Sequence, residues 1–435
     1  MSLEKKSLIL FNYSKPNTYS YAALMGSLDS YSTFSENIEI KIINQNLFKF
    51  FKNEQNWKNY SNYKHIILLY SLFSEQFLGF SDKIFKIKKL FKDHIGKSPI
   101  IIAGGPHPSV RPIEVLKAGV DIVIQGEGEY NFPRIINWIH QKGYLDESYD
   151  DYRGKGGIYY YYNSKLCSKE SSERLNLDNY SSISFKHRLF GPVEISRGCP
   201  FCCKFCQYGN FYNNMKHKSI KTIFKTIEKA VEVKYDKIWF LSSNSFAYGS
   251  KSLNPNPMKV KELLSKLYKI EGLNEIYFGT FPSEVRPEFV THEMLDSCIP
   301  YISNKYFIIG AQTASNRLLQ YINRGHTFED VLNAIDILKE YGFNCHLDFI
   351  FGLPSETSED IDENINFFKY ILKQNNIKIH SHTFMPLPGS KFENKPAGKV
   401  IPPRLQKILR RLISQGKAYG QYQTQLKVAQ LIENL

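Results

Sequence analysis

Strand-length apolar runs alternate with longer amphipathic stretches through the first third of the chain. Ser7–Asn12, Ile38–Ile43, Ile66–Leu72, Pro99–Ala103 and Val120–Ile124 read as strands, and the segments near Tyr19–Tyr31, Glu75–His94 and Ile113–Ala118 repeat apolar residues at helical spacing. This rhythm predicts a doubly wound α/β domain with parallel strands over residues 1–145, and ligands of such sheets sit at the carboxyl ends of the strands. Two loops at those ends stand out, Gly104-Gly105-Pro106-His107 and Gly126-Glu127-Gly128-Glu129. Glycines there let backbone approach a ligand closely, or simply turn the chain.

From 146 to 188 the pattern lapses into polar, Tyr-rich sequence, read as a linker with a small hairpin. The run Tyr159–Tyr162 is taken as ordinary half-exposed strand tyrosines rather than a stacking platform. Alternation then resumes. Val193–Ile195, Lys237–Leu241, Glu275–Gly279, Tyr306–Ile309, Asn344–Phe351 and Ile377–Phe384 are strands, separated by helical stretches at Ile220–Val233, Val260–Ile270, Pro287–Cys298, Phe328–Tyr341 and Ile361–Lys373. Six strands with crossover helices suit a second, barrel-like α/β unit over 189–400. Residues 401–435, with Leu405, Ile408, Leu409, Leu412 and Ile413, form a basic amphipathic helical tail.

Composition narrows the class. A chain of 435 residues with 42% hydrophobic side chains is globular and suits two or three domains. No run of about 18 apolar residues predicts a membrane span. The opening Met1-Ser-Leu-Glu-Lys-Lys leads into a stretch too short for a signal peptide, so a cytoplasmic location is expected. The formal charge of +14 invites a nucleic-acid partner. However, Lys83, Lys86, Lys88, Lys89 and Lys92 sit among apolar residues at helical spacing, as on solvated helix faces, and no nucleic-acid module accompanies them.

Four of the seven cysteines lie within Cys199-Pro-Phe-Cys-Cys-Lys-Phe-Cys206, which is no disulfide framework. Three thiolates at the spacing of Cys199, Cys203 and Cys206 can wrap one face of a cubane cluster, leaving its fourth iron without a protein ligand. A structural zinc site wants two separated Cys-x-x-Cys pairs, and Cys167, Cys298 and Cys345 form none. Cys202, adjacent to Cys203, is read as packing or redundant.

The spacing resembles the Cys-x3-Cys-x2-Cys signature of radical S-adenosylmethionine (SAM) enzymes, with aromatic Phe205 just before the third cysteine. The resemblance implies a partial (β/α)6 barrel and a 4Fe–4S cluster. Its free iron chelates the amino and carboxylate groups of SAM, and an electron from it gives the 5′-deoxyadenosyl radical. Further segments resemble the subgroup in which a Rossmann-like cobalamin-binding domain precedes the barrel. These are Gly104–His107, Val120-Asp121, Gly126–Glu129, Gly310–Ser315, Arg324-Gly-His326, Asp348–Pro354 with Glu356-Thr357, and Met385–Gly389. The resemblance covers about residues 5–395.

It implies Cys199, Cys203 and Cys206 as metal ligands, Phe205 near the adenine, and Ser242, Ser243 and Asn244 around SAM, in place of the subgroup's Gly-Gly-Glu. Gly104, Gly105, Gly126 and Glu127 would lie around cobalamin. The Asp-x-His-x-x-Gly motif is absent, Asp93-His94-Ile-Gly96 having another spacing, so the cobalt would lack a histidine lower ligand. An external electron donor such as flavodoxin or ferredoxin is implied as partner.

Other polar residues carry open alternatives. Arg324 pairs with the methionine carboxylate, or is a surface group ahead of a helix capped by Thr327. Gln312 and Ser315, after a strand, suit the ribose or carboxylate of SAM. His380 and His382 share one strand face and resemble a metal pair, but the sequence supplies no third ligand. Asp348 is an oddity in an apolar strand.

The expected function is a cobalamin-dependent methyltransferase acting on an unactivated carbon of a peptide, lipid or small metabolite. Ring formation, oxidation or sulfur insertion without methyl transfer is the first rival. An iron–sulfur electron-transfer or sensing protein, with no SAM cleavage, is the second.

Overall fold

The computed structural model describes residues 5–58, 60–149, 156–170, 174–250 and 253–435. The chain divides into two compact units, 1–191 and 192–435.

The first unit is built on β1 (Ser7–Asn12), β2 (Ile38–Ile43), β3 (Ile66–Ser71), β4 (Ile100–Gly104), β5 (Ile122–Gln125), β6 (Gly157–Tyr162) and β7 (Lys165–Lys169), in the order β2-β1-β3-β4-β5-β6-β7. The first five strands pair in parallel, and β6 and β7 add an antiparallel hairpin. Leu8 and Leu10 face one core with Ile84, Ile87 and Phe91, while Ile9 and Phe11 face another with Met25, Phe132 and Ile135. Helices therefore cover both faces, which is why β1 and β3 read as unbroken apolar runs.

The sequence predicts one helix near Glu75–His94. The structure has two, Ser74–Phe77 and Phe80–Ile95, broken at Gly79, whose φ of 64° is left-handed. The segment Asn131–Lys142 is a further helix, with Pro133 in its first turn, where its missing N–H costs nothing. The hairpin within the 146–188 segment is part of the first sheet, and residues 150–155 and 171–173 lie outside the described residues. Tyr159 and Tyr160 point to opposite faces and are buried in the two cores rather than half-exposed as expected, and Tyr161 is exposed.

In the second unit β8 (Val193–Glu194) is followed by β9 (Ser196–Arg197) and β10 (Lys216–His217), which pair with each other. β11 (Lys237–Leu241) lies between β8 and β12 (Glu275–Tyr277), all parallel. β13 (Tyr306–Gln312), β14 (Asn344–Phe351), β15 (Ile377–Thr383) and β16 (Ala418–Gly420) continue in parallel. The two stretches join where Ile308 N–H donates to Gly279 O at 3.1 Å and Val285 N–H to Ile308 O at 2.8 Å.

The six expected strands are thus present in sequence order with crossover helices, two of which (Phe328–Glu340 and Ser358–Ile371) begin with Thr–Asp capping boxes. The tail departs from its expected all-helical form. Between Pro403–Ser414 and Tyr422–Ile432 it adds β16 to the edge of the barrel. Among the described residues no helix is long and apolar enough to cross a membrane.

Candidate functional site

The cysteine loop follows β8 and β9 at the carboxyl end of the barrel strands. Just before it, Arg197 holds Glu194 through two hydrogen bonds, Nε to Oε1 at 2.7 Å and Nη2 to Oε2 at 2.8 Å. Gly198 turns the chain at φ 101°, and its carbonyl accepts from Ser243 Oγ at 2.6 Å. Asn210 donates to the carbonyls of Cys203 and Cys206 at 2.9 and 2.6 Å, and Asn323 to those of Phe201 and Cys202 at 3.0 and 3.3 Å. These polar side chains fix a loop with little regular structure of its own.

All seven cysteines are free thiols, and Cys203 is buried. Cys202 has the left-handed φ of 50°, with its thiol 3.8 Å from Gly209 O. Burial pushes the Cys199 thiol up, and pushes Cys206 up to about 11 against the backbone amides of Gly209 and Tyr208. Iron binding would deprotonate such thiols.

Two buried guanidiniums stand beside the loop. Arg324 donates to Gly310 O through Nη2 at 2.8 Å and Nε at 3.2 Å, and places Nη1 3.6 Å from Cys203 Sγ. Burial opposes its charge, but Cys203 and Glu284 more than restore it. Arg286 stacks on Phe201, 3.6 Å from the ring centre, and donates to Arg324 O. Three thiols on one loop backed by two buried cations fit an anionic iron–sulfur cluster.

The surface alternative for Arg324 is overturned, since it is buried; Thr327 does cap the following helix. Burial, then Arg324 and Arg286, press His326 down to about 2, so its ring is neutral.

The other expected barrel residues separate into two groups. Ser242 bonds Ser196 Oγ at 2.6 Å and takes Ser283 Oγ on its N–H at 2.9 Å. Asn244 Oδ1 accepts from Arg286 N–H at 3.4 Å. With Ser243 and Arg324 they form one polar frame around the loop. Gln312 ends β13 buried, with a left-handed φ of 71°.

Ser315 sits apart. Its hydroxyl caps helix Asn316–Tyr321 and donates to Asp360 at 2.6 Å. Phe205 packs half-buried on Leu318, Ile322, Leu353, Phe384 and Phe392. Among the described residues, Asn244 Nδ2, Ser245 Oγ, Thr280 Oγ1 and Arg286 Nη1 are buried without a hydrogen-bond partner. Such atoms near strand ends suit a polar ligand.

Deeper in the barrel lies a cluster the sequence does not reveal. Gly310 has no side chain where Arg324 and Glu284 approach; a Cβ there would collide with the guanidinium and lie 2.9 Å from Glu284 Oε2. Burial and neighbouring Asp348 push the Glu284 carboxyl up to about 7. Asp348 in turn meets both histidines of β15, His380 at 2.7 Å and His382 at 3.6 Å, so the pair has the third group its sequence lacked. The tail contributes Tyr419, stacked 4.6 Å from His380, and Gln425, 3.3 Å from His382 Nδ1.

In the first unit the strand order 2-1-3-4-5 reverses direction at β1 and β3, where such sheets bind ligands. Gly105, at φ 101°, leaves no room for a side chain: a Cβ would lie 2.8 Å from Leu72 N and 2.9 Å from Ser71 Oγ. Ser71 Oγ is itself buried without a partner. A Cβ on Gly104 would lie 3.3 Å from Ile124 O, and Gly126 turns with φ 73° while its N–H donates to Ser109 Oγ at 2.8 Å. Glu127 is buried, accepting from Leu175 N–H at 2.7 Å and Arg174 at 3.1 Å. His94 lies in the last turn of the helix that returns to the start of β4 and stacks on Trp57 at 4.4 Å, so it sits toward the amino end of the strands while these loops follow their carboxyl ends. These glycines let the strand-end loops pack closely on their own sheet, and the unpartnered Ser71 hydroxyl is a polar group beside them that a ligand could engage.

Residues 193–368 match the model of the Radical SAM superfamily, and the chain carries a radical SAM domain there. The tRNA-2-methylthio-N(6)-dimethylallyladenosine synthase of Petrotoga mobilis is 28% identical over 244 residues, 53% of this chain and 52% of that protein. An uncharacterized methyltransferase of Pyrococcus horikoshii is 26% identical over 296 residues, 66% of this chain and 61% of that one. The chain thus spans between half and two thirds of the length of these relatives. The cobalamin-dependent S-adenosylmethionine radical enzyme OxsB, with aqua-cobalamin bound, superposes with a TM-score of 0.61 at 19% identity, over 84% of this chain and 52% of its own. The radical S-adenosylmethionine methyltransferase TsrM from Kitasatospora setae, with cobalamin and a 4Fe–4S cluster bound, gives 0.64 at 13% identity, over 91% and 78%. The fold is that of cobalamin-dependent radical SAM enzymes.

Proposed function

We propose that this chain is a cobalamin-dependent radical SAM methyltransferase acting on an unactivated carbon, with Cys199, Cys203 and Cys206 as cluster ligands. The observation that carries the radical step is the loop itself: three thiols, a fourth turned to Gly209, and the buried Arg324 against Cys203. When bound, a three-cysteine cluster supplies an open iron for SAM and the electron that cleaves it.

The chain's own residues do the holding. Arg324 offsets negative charge at Cys203, Ser243 and Asn210 fix the loop backbone, and Ser242–Asn244, Gln312 and Arg286 present polar groups to the methionine end of SAM. Ser315 acts at one remove, by capping the helix after Gln312 and tying it to Asp360. Phe205 gives the adenine an apolar border.

Cobalamin, when bound, supplies a methyl group. Gly104, Gly105 and Gly126 would lie beside it at the β4 and β5 loops, Glu127 braces the last of these, and His94, in the helix turn at the amino end of the strands, would not serve as a lower ligand. The shared fold of OxsB and TsrM supports this reading.

Sulfur insertion is the rival favoured by the methylthio relatives. The methylthio relative of Petrotoga mobilis aligns over 53% of this chain, whereas the cobalamin-dependent structures of OxsB and TsrM cover 84% and 91% of it. Methyl transfer is therefore preferred. The electron donor would be an external flavodoxin or ferredoxin.

The test is anaerobic reconstitution with cluster and cobalamin. A base-off cobalamin spectrum is expected, with 5′-deoxyadenosine and S-adenosylhomocysteine rising in step with a C-methylated product. Substrate conversion with deoxyadenosine but no S-adenosylhomocysteine, or failure to retain cobalamin, contradicts methyl transfer.

A further inference from the structure

β14 and β15 pair in register with Asp348 opposite His380 and Ile350 opposite His382. Cys345, Leu347, Phe349, Ile377 and Ile379 point outward into the helix-covered core. The alternate residues, including Asp348, His380 and His382, therefore face the barrel interior. Asp348 Oδ1 lies 2.7 Å from His380 Nδ1 and 3.6 Å from His382 Nε2, and the two nitrogens are 3.1 Å apart. All three ligand atoms fall within 4.8 Å of one another.

Ligands held about 2.0–2.2 Å from one ion, at angles from octahedral to tetrahedral, stand roughly 2.9–3.5 Å apart. The observed triangle brackets that range. Hydrogen bonding alone satisfies it poorly. Thr383 N–H donates to Gln425 Oε1 at 2.9 Å, which turns Gln425 Nε2 to His382 Nδ1 and leaves that ring's proton on Nε2. His380 needs its own proton on Nδ1 to reach Asp348, so two N–H groups crowd one carboxylate oxygen. A cation removes the conflict by taking both lone pairs and the carboxylate. His382 then carries its proton on Nδ1, toward the Gln425 side chain, where a carboxylate could accept from both that proton and Thr383 N–H.

We propose that Asp348, His380 and His382 bind one divalent transition-metal ion of the kind that favours imidazole and carboxylate, such as Zn2+ or Fe2+. The carboxylate is anchored, its side chain 7% exposed, while the histidines remain 29% and 30% exposed toward the lumen. Coordination positions on that side stay open to water or to a carboxylate or hydroxyl of a substrate. Tyr419, stacked on His380, fixes one ring, as outer partners of metal ligands commonly do. The site stands whether or not the radical reading holds.

The test uses the full chain, cluster-reconstituted, stripped with a chelator and titrated with Zn2+ alone by calorimetry and metal analysis. One Zn2+ per chain is expected, with affinity falling at least tenfold in His382→Ala and in Asp348→Asn and unchanged in Cys202→Ala. Should those variants not fold, Gln425→Glu places a permanent acceptor on His382 Nδ1 and is expected to tighten Zn2+ binding about tenfold. No stoichiometric uptake by the folded wild type, or uptake indifferent to both His382→Ala and Gln425→Glu, overturns the proposal.

Discussion

Replacing Arg324 with Gln removes a buried positive charge beside Cys203 while leaving a hydrogen-bond donor. At 3.6 Å from the sulfur, a unit charge contributes about 4–5 kcal/mol at an effective dielectric near 20. Cluster charge is spread over several atoms, so about half of that, ~2 kcal/mol, acts on the added electron. For a one-electron couple this is about 90 mV. The sign follows from the charge: the reduced cluster is the more negative state, so losing the cation lowers the midpoint potential. Gly310 O also loses two donors, at a cost of about 1–3 kcal/mol in stability. The assay is an EPR-monitored redox titration of protein loaded to the wild-type iron content. A midpoint shifted down by roughly 50–150 mV is expected. A folded, fully loaded Arg324→Gln protein with an unchanged or higher midpoint would refute the electrostatic role.

Gly310→Ala forces a Cβ into Arg324 and to 2.9 Å from Gln312 Nε2, so urea unfolding should show a loss of about 1–3 kcal/mol; wild-type stability would contradict the close packing. Cys202→Ala should keep the full iron content and cluster absorbance, because that thiol lies at Gly209 O; loss of iron would make Cys202 a ligand. Burial pushes the Glu356 carboxyl up from 4.5 to about 7. The folded state thus holds that proton longer, and its contribution to stability should fall by up to about 3 kcal/mol as pH rises from about 4.5 to 7. Glu356→Gln should flatten that part of the profile, and parallel denaturation curves for the two proteins between about pH 5 and 8 would contradict it.

Local features were legible in the sequence, and long-range ones were not. Cys199, Cys203 and Cys206 lie within eight residues of one another, so the spacing that suggests cluster ligands is visible in the sequence alone. The barrel strands are apolar runs long enough to register, and the Thr327 and Thr357 caps announce their helices. Tyr419 sits on a three-residue strand with no apolar pattern, so nothing in the tail signals β16. The lumen cluster draws Glu284, Asp348 and His380 from separate segments and becomes a unit only through strand register. Arg324 reads as surface or ligand arginine until burial by Gly310 and Cys203 is seen. Ser315 has the strand-end position of a ligand contact, yet Asp360, 45 residues on, takes its hydroxyl.

The central claim is that the cysteine loop carries a SAM-cleaving cluster, and its most direct measurement is 5′-deoxyadenosine formed from SAM by anaerobically reconstituted, chemically reduced protein. The account predicts 5′-deoxyadenosine from the wild type and from Cys202→Ala, and none from Cys199→Ala, Cys203→Ala or Cys206→Ala. A wild-type protein that holds a reducible 4Fe–4S cluster yet releases no 5′-deoxyadenosine would contradict it.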